Sequence, residues 1–227
     1  MTNHTKQTLI EPIGILVEGE SDKNFLSKIC SLPEVSLKDV QIEKITPRGG
    51  KTGFFGKENF YEITQIERWI DKNRCPKKII LICDAYFKEN GKSHDGFKKT
   101  KSTLQPIISK LCKKYKNVKF DIFIFPNNKD DGNLDSLFLQ CATKKIKEKF
   151  CCIDGDEKKK TVGYLECVGV EPSVNKIDKL RAELLLSAIG LKDGIKNVGD
   201  AAKANGYWDF KHNALEELKK FLLKLKN

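Results

Sequence analysis

Three features are missing from the sequence, and each absence excludes a class of protein. No stretch approaches the roughly 18 to 20 uninterrupted apolar residues of a membrane helix. The first residues, MTNHTKQTLIEP, contain no apolar core of a secretory signal. No CxxC pair occurs among the eight cysteines, and the adjacent pair Cys151 and Cys152 is poorly spaced for two ligands of one tetrahedral zinc. We therefore expect a cytoplasmic protein with reduced thiols, without a zinc site and without a membrane partner.

Internal repeats and low-complexity linkers are also absent. The chain has 227 residues, 39% of them hydrophobic, which is enough for one sizeable core and too little for two full domains. We expect an α/β core over residues 1–150. Residues 151–227 are predicted to form a hairpin and a helical extension that pack on this core, so that the whole chain is one domain.

The charge of the chain is strongly positive. The net charge is +11 and the isoelectric point is near 9.1, and lysine supplies nearly all of the excess. Residues 96–119 hold eight lysines and no acidic residue. Such a surface favours a polyanionic partner, DNA or RNA, because each phosphate that a lysine neutralises releases a counterion. The alternative is an ordinary solvated surface.

Apolar runs predict strands that alternate with amphipathic helices. Strands are expected at residues 13–17, 40–46, 79–83 and 120–125. Helices are expected from about residue 21, over 63–73, over 104–115, from about 134, over 177–184 and over 215–225. Lysines 158–160 are predicted to form the tip of a hairpin. Alternation of this kind predicts an open, mostly parallel sheet with helices on both faces, followed by a C-terminal helical extension.

Acidic residues follow three of the predicted strands. Glu18 ends the first strand, with Asp22 just beyond it, and Asp84 ends the strand at 79–83. Asp131 and Asp135 follow the strand at 120–125. Because parallel strands end at one edge of the sheet, these carboxylates predict a site for Mg²⁺ or Mn²⁺. In the alternative interpretation Asp22 and Asp135 are helix N-caps and Asp130 and Asp131 are turn formers, so that only Glu18 and Asp84 need a functional explanation.

The segments around Glu18 and Asp84 resemble the Toprim family. ILVEGESDKNFL at 15–26 is similar to the first Toprim motif, and ILICD at 80–84 is similar to the second. With FIFPNNKDDGNLDSLFL and YWDFKHNALEELKKFL, the chain resembles small single-domain Toprim proteins of unassigned function, related to the nuclease branch that includes the OLD proteins.

The resemblance implies Mg²⁺-dependent phosphodiester chemistry. Glu18 would be a metal ligand or the general acid and base, Asp84 a metal ligand, and Asp22 a support for the first site. The second Toprim motif is usually Asp-x-Asp, and here Tyr86 stands in place of its second aspartate. A catalytically inactive nucleic-acid or nucleotide-binding module is therefore the alternative to a nuclease. Asp131 or Asp135 is the candidate to replace the missing ligand.

Five basic residues are candidates for contact with substrate phosphates. Arg48 and Lys51 lie in the glycine-bearing segment 47–56, which lacks the spacing of a Walker motif. Lys98, Lys99 and Lys101 open the basic segment. Phosphate contacts of this kind position a nucleic acid without reading its sequence.

Two further features have structural interpretations. Trp69 and Trp208 are predicted to be core residues rather than platforms for base stacking. The leucine stripe of the predicted C-terminal helix allows a homodimer, and packing on the chain's own sheet is the commoner fate of such a helix.

Overall fold

The computed structural model describes residues 13–45, 60–73, 76–86, 96–149, 155–156, 161–162, 174–190 and 193–226. Three predictions lie outside the described residues. They concern Arg48, Lys51 and the hairpin tip at 158–160.

The strands form one four-stranded sheet and one small hairpin. Their bounds are Ile13–Val17 (β1), Val40–Lys44 (β2), Lys78–Asp84 (β3), Lys119–Phe125 (β4), Gly155–Asp156 (β5) and Thr161–Val162 (β6). The four-stranded sheet has the order β2-β1-β3-β4, and all of its neighbours are parallel. β5 and β6 pair antiparallel, as the predicted hairpin requires.

The helices connect these strands and then continue to the C-terminus. Their bounds are Glu20–Ser31 (α1), Phe60–Lys72 (α2), Phe97–Lys114 (α3), Leu134–Cys141 (α4), Lys144–Lys147 (α5), Val174–Gly190 (α6), Val198–Lys203 (α7) and Glu216–Leu223 (α8). Short 3₁₀ turns, Asn213–Leu215 and Lys224–Lys226, flank α8. The α/β fold with C-terminal helices is confirmed. In the described part of the chain, every helix is too short or too polar to cross a membrane.

Both faces of the sheet are covered, as the continuous apolar strands predict. Side chains alternate along a strand, so Ile15 and Val17 enter one apolar core while Leu16 enters the other. The first core also contains residues of α1, α4 and α6 to α8. The second contains residues of α2 and α3. A β strand with both faces buried is typical of parallel α/β sheets.

The C-terminal leucine stripe packs inside the chain. Leu215, Leu218 and Leu222 are fully buried, and Leu225 is 5% exposed. All four belong to the first core, together with residues of β1, β3 and β4. Packing on the chain's own sheet is thus confirmed for this stripe.

Both tryptophans are core residues, as predicted. Trp208 packs against Phe25 in the first core, with ring centroids 4.6 Å apart. Trp69 of α2 lies across β1 at Gly14, where a Cβ atom would lie 2.7 Å from Cζ3 of Trp69. Only glycine lets the helix approach the central strand this closely.

Candidate functional site

Glu18 and Asp84 lie at the carboxyl ends of the two central strands. In the β1–β3 register Val17 is opposite Ile82. Glu18, which follows Val17, therefore lies beside the C-terminal end of β3. The connection through α1 covers one face of the sheet and the connection through α2 covers the other. The strand order therefore reverses between β1 and β3, and ligands of open α/β sheets bind outside such a switch point.

Glu18 and Asp84 are linked by a hydrogen bond between the side chain of the first and the backbone of the second. Glu18 is 3% exposed, and its Oε1 accepts a hydrogen bond of 3.2 Å from the Asp84 N–H. Asp84 in turn accepts, through Oδ1, a 3.0 Å hydrogen bond from the N–H of Leu134, the first residue of α4. A helix N-terminus favours negative charge, so α4 stabilises the carboxylate at the end of β3.

Asp22 lies in the first turn of α1. The N-cap of this helix is Gly19, and its N–H donates to Oδ2 of Asp22 at 2.8 Å. Asp22 is thus the third helical residue of a capping box, not the N-cap of the alternative interpretation. Burial, opposed by the Gly19 hydrogen bond and assisted by the nearby charge of Asp135, raises the pKa of Asp22 to about 7.

Asp135 lies in the first turn of α4, whose N-cap is Asn133. Burial raises the pKa of Asp135 to about 6. Of the charges on α6, Lys179 lowers this pKa, whereas Glu183 and Asp178 raise it. Asp135 is therefore a second carboxylate at this edge that resists ionisation, and it is also not an N-cap.

Tyr86 lies two residues beyond Asp84 and is influenced by several carboxylates. Its backbone has a φ of 57°, in the left-handed region, and its N–H and C=O exchange hydrogen bonds of 2.6 and 3.0 Å with Gly132. The pKa of its phenol is raised, first by burial and then by the charges of four carboxylates. These are Asp84, Glu18, Asp22 and Asp135. We call them the acidic cluster.

Asp131 has a different position. Its side chain is exposed, and Oδ1 accepts a 2.6 Å hydrogen bond from the N–H of Phe97, the first residue of α3. Asp131 is also not among the acids whose charge acts on Tyr86. The structure therefore places Asp131 as a cap of α3, beside the acidic cluster.

The predicted phosphate-contacting lysines of α3 adjoin the same edge. Lys98, Lys99 and Lys101 are exposed in the first turns of α3. The helix start is tied to the end of β3, because Ala85 O accepts hydrogen bonds from the Gly96 N–H at 2.9 Å and from Oγ1 of Thr100 at 3.3 Å. The lysine-bearing start of α3 is thus tied to the residue that follows Asp84.

The acidic cluster fits a divalent cation in charge and in donor type. Carboxylate oxygens are the ligands that Mg²⁺ and Mn²⁺ prefer. The pKa values of Asp22 and Asp135 are raised mainly by burial, and neighbouring carboxylates add to both shifts. Fewer side-chain ligands come together at this edge than the sequence predicted. Among the residues that the structure describes, no group of three or more His, Cys, Asp or Glu side chains is placed to hold a metal ion.

Sequence reasoning missed the segment that packs against the start of α1. Asn197 caps α7, and residues of this segment bond to Ser21 and Asn24 on either side of Asp22. The available signal was the sequence Asn-Val-Gly-Asp at 197–200, in which asparagine is a preferred N-cap. Nothing in the sequence showed which helix this segment contacts.

The chain belongs to the family described as "Protein of unknown function (DUF3226)", whose family model matches residues 13–227. Neither the curated proteins nor the solved structures contain a significant match. The family has no described activity, so the Toprim resemblance stays a prediction.

Proposed function

We propose that this member of the DUF3226 family is a divalent-metal-dependent enzyme that cleaves phosphodiester bonds in nucleic acid. One observation carries the proposal. Buried Glu18, directly after β1, is hydrogen-bonded to the N–H of Asp84 at the end of β3, outside the switch point of a parallel sheet, and Asp84 is bonded to the start of α4, which carries Asp135. Carboxylates gathered in this way repel one another unless a cation lies among them.

The proposed ligands are Glu18 and Asp84, with Asp22 and Asp135 beside them. Bound Mg²⁺ or Mn²⁺ would supply Lewis-acid stabilisation of the phosphoryl oxygens and a more acidic water. Glu18 is the proposed residue for holding or moving the proton, because it is buried at the end of β1 and fixed by the Asp84 N–H. Exposed Lys98, Lys99 and Lys101 would position the phosphate backbone.

Calorimetric titration of the wild type with Mn²⁺ tests the metal site. Glu18→Gln keeps the shape of the side chain and removes its charge, so it is expected to lower Mn²⁺ affinity. Glu20→Gln is the matched control, since Glu20 is exposed two residues away. Absence of Mn²⁺ binding at millimolar concentration, or equal affinity in all three proteins, would contradict the proposal.

Cleavage is tested on the same three proteins with Mn²⁺ and single-stranded and duplex DNA and RNA. We expect the wild type and Glu20→Gln to cleave at least one of these substrates. Glu18→Gln is expected to cleave none. Equal cleavage by Glu18→Gln and the wild type would identify a contaminating nuclease and overturn the enzymatic proposal.

A second function, a nucleic-acid-binding module without catalysis, is favoured by Tyr86. Tyr86 stands where the Toprim pattern has a carboxylate, the charges of the acidic cluster act on its phenol, and the described acids do not form a three-ligand group. Binding of a labelled duplex by fluorescence anisotropy, without cleavage under any of the metal conditions, would support this function over the first.

A further inference from the structure

The N-terminal turn of α1, which carries Asp22, is held by a segment from the far end of the chain. Ser21 Oγ donates to Oδ1 of Asn197 at 3.2 Å and accepts from the Gly199 N–H at 3.0 Å. Nδ2 of Asn24 donates to Oδ1 of Asp200 at 3.2 Å. Asp22 lies between the two contacted residues of α1. We call residues 197–200 the clamp segment.

The clamp segment is stabilised by hydrogen bonds between its own residues. The Asp200 N–H donates to Oδ1 of Asn197 at 2.9 Å, and Nδ2 of Asn197 donates to Oδ2 of Asp200 at 2.9 Å. The two side chains that contact α1 therefore also bond to each other. Their polar atoms are satisfied within the segment, which fixes their direction toward the helix.

Gly199 sets the distance between the clamp segment and α1. A Cβ atom at this position would lie 2.6 Å from the Cα of Ser21 and would also overlap the carbonyl group of Ser21. The nearest atoms belong to the backbone, so a rotamer change cannot relieve the overlap. Backbone thus packs directly on backbone at the first turn of α1.

Trp208 connects the clamp segment to the same helix by a second route. Its Nε1 donates to the carbonyl oxygen of Val198 at 3.0 Å, and its ring packs against Phe25 of α1 with centroids 4.6 Å apart. The clamp segment and α1 are therefore joined by polar bonds at the helix start and by aromatic packing one turn later.

We propose that the clamp segment is a positioning element of the acidic cluster: through Ser21 and Asn24 it fixes the turn that carries Glu18, Gly19 and Asp22. Two hydrogen bonds connect this turn internally and to the end of β3. The Gly19 N–H bonds to Asp22, and Glu18 accepts the Asp84 N–H. Contacts that hold the residues behind metal ligands orient those ligands, and the loss of such contacts typically weakens metal binding. The metal-binding part of this inference rests on the proposed function.

Amide hydrogen exchange tests positioning without any metal. Ser21→Ala removes both clamp bonds of Ser21, and the exchange of the Gly19 and Asp84 amides relative to the Ile80 amide in mid-strand is expected to rise roughly tenfold. Asn24→Ala, a second variant that removes a different bond, is expected to act in the same direction. Ser21→Thr retains the hydroxyl and should restore the wild-type ratio.

Ile108→Val is the matched control, because it lowers stability in the core on the opposite face of the sheet. At a temperature where all variants are folded, this control should leave the exchange ratio unchanged. An unchanged ratio in both Ser21→Ala and Asn24→Ala would overturn the inference.

Mn²⁺ titration of the same variants then tests the link to the site. Affinity is expected to fall on the order of tenfold in Ser21→Ala and to recover in Ser21→Thr. Unchanged affinity in Ser21→Ala would overturn positioning of the metal ligands. If the wild type binds no Mn²⁺, the proposed function fails, and the exchange ratio still decides whether the clamp segment orders this turn.

Discussion

The backbone N–H of Asp84 donates to Oε1 of Glu18 at 3.2 Å, which joins the ends of the two central strands. The two residues are 66 positions apart in the chain and meet because β1 and β3 are neighbours in the sheet. Glu18 is buried in this position. The charge of a buried carboxylate beside further acids affects stability, and it would also affect the proposed metal binding. The predictions below test both effects.

Asp22 should make stability depend on pH. Its pKa is about 7 in the folded protein and 3.8 for an ordinary aspartate, so the folded state binds more protons between these values. The free energy of unfolding therefore falls as pH rises from about 4 to 7. In metal-free buffer at pH 8, Asp22→Asn should be more stable than the wild type by on the order of 1–2 kcal/mol, a value reduced for solvent screening of this half-buried group.

At pH 4 the two proteins should have similar stability, since Asp22 is then mostly protonated in the folded state. Urea unfolding at the two pH values measures the difference. Asp39→Asn, at an exposed aspartate, is the control. A gain from Asp22→Asn that is the same at pH 4 and pH 8 would show that the charge of Asp22 is not its cause.

Gly14→Ala should destabilise the protein by about 1–3 kcal/mol, because the new methyl group overlaps the six-membered ring of Trp69. Trp69→Phe removes much of that ring. In the Trp69→Phe background, Gly14→Ala should therefore cost much less, and a double-mutant cycle by urea unfolding measures the coupling. Additive effects of the two substitutions would contradict the close approach of α2 to β1.

Replacing Lys98, Lys99 and Lys101 together by glutamine should weaken binding of a DNA duplex and reduce its salt dependence. The slope of log K against log salt is expected to become less steep by up to about 3, because each lost phosphate contact removes about 0.9. Anisotropy titrations over a range of salt concentrations give the slope.

A charge-matched control separates local contact from net charge. Lys144, Lys145 and Lys149 are exposed beyond the C-terminal end of α4, and their replacement by glutamine changes the net charge equally. We expect little change in slope from this control. An equal change in both triple variants would indicate that only the overall charge matters.

Tyr86→Asp should raise Mn²⁺ affinity and lower stability in the absence of metal. The substitution places a fifth carboxylate next to the acidic cluster, and aspartate tolerates the left-handed φ of 57° better than tyrosine does. Tyr86→Asn, of nearly the same shape and uncharged, is the control in the calorimetric titration. Equal Mn²⁺ affinity in the two variants would show that position 86 does not face the metal site.

The strands and the main helices were predictable because their signals are local. Buried parallel strands require continuous apolar runs, and β1 was predicted at its observed bounds for that reason. The acidic strand ends were also predictable, since Glu18 and Asp84 follow apolar runs directly. The short helices α5 and α7 were missed, because segments of four and six residues carry too little periodicity.

The roles of the aspartates depended on contacts between distant segments. Asp131 and Asp135 are four residues apart, yet Asp131 caps α3 while Asp135 faces Asp22 and α6. Composition and spacing treat the two residues alike. Only the packing of α3 and α4 against the ends of β3 and β4 distinguishes them.

The sequence by itself determined the α/β alternation, the burial of both sheet faces and the presence of carboxylates at three strand ends, because each depends on residue type within a few positions. The tertiary structure decided that Glu18 meets Asp84, that the charges of four carboxylates act on Tyr86, and that residues 197–200 hold the turn after Glu18. These contacts join segments up to 178 positions apart. Strand order and helix packing bring such segments together, and local sequence patterns determine neither of them.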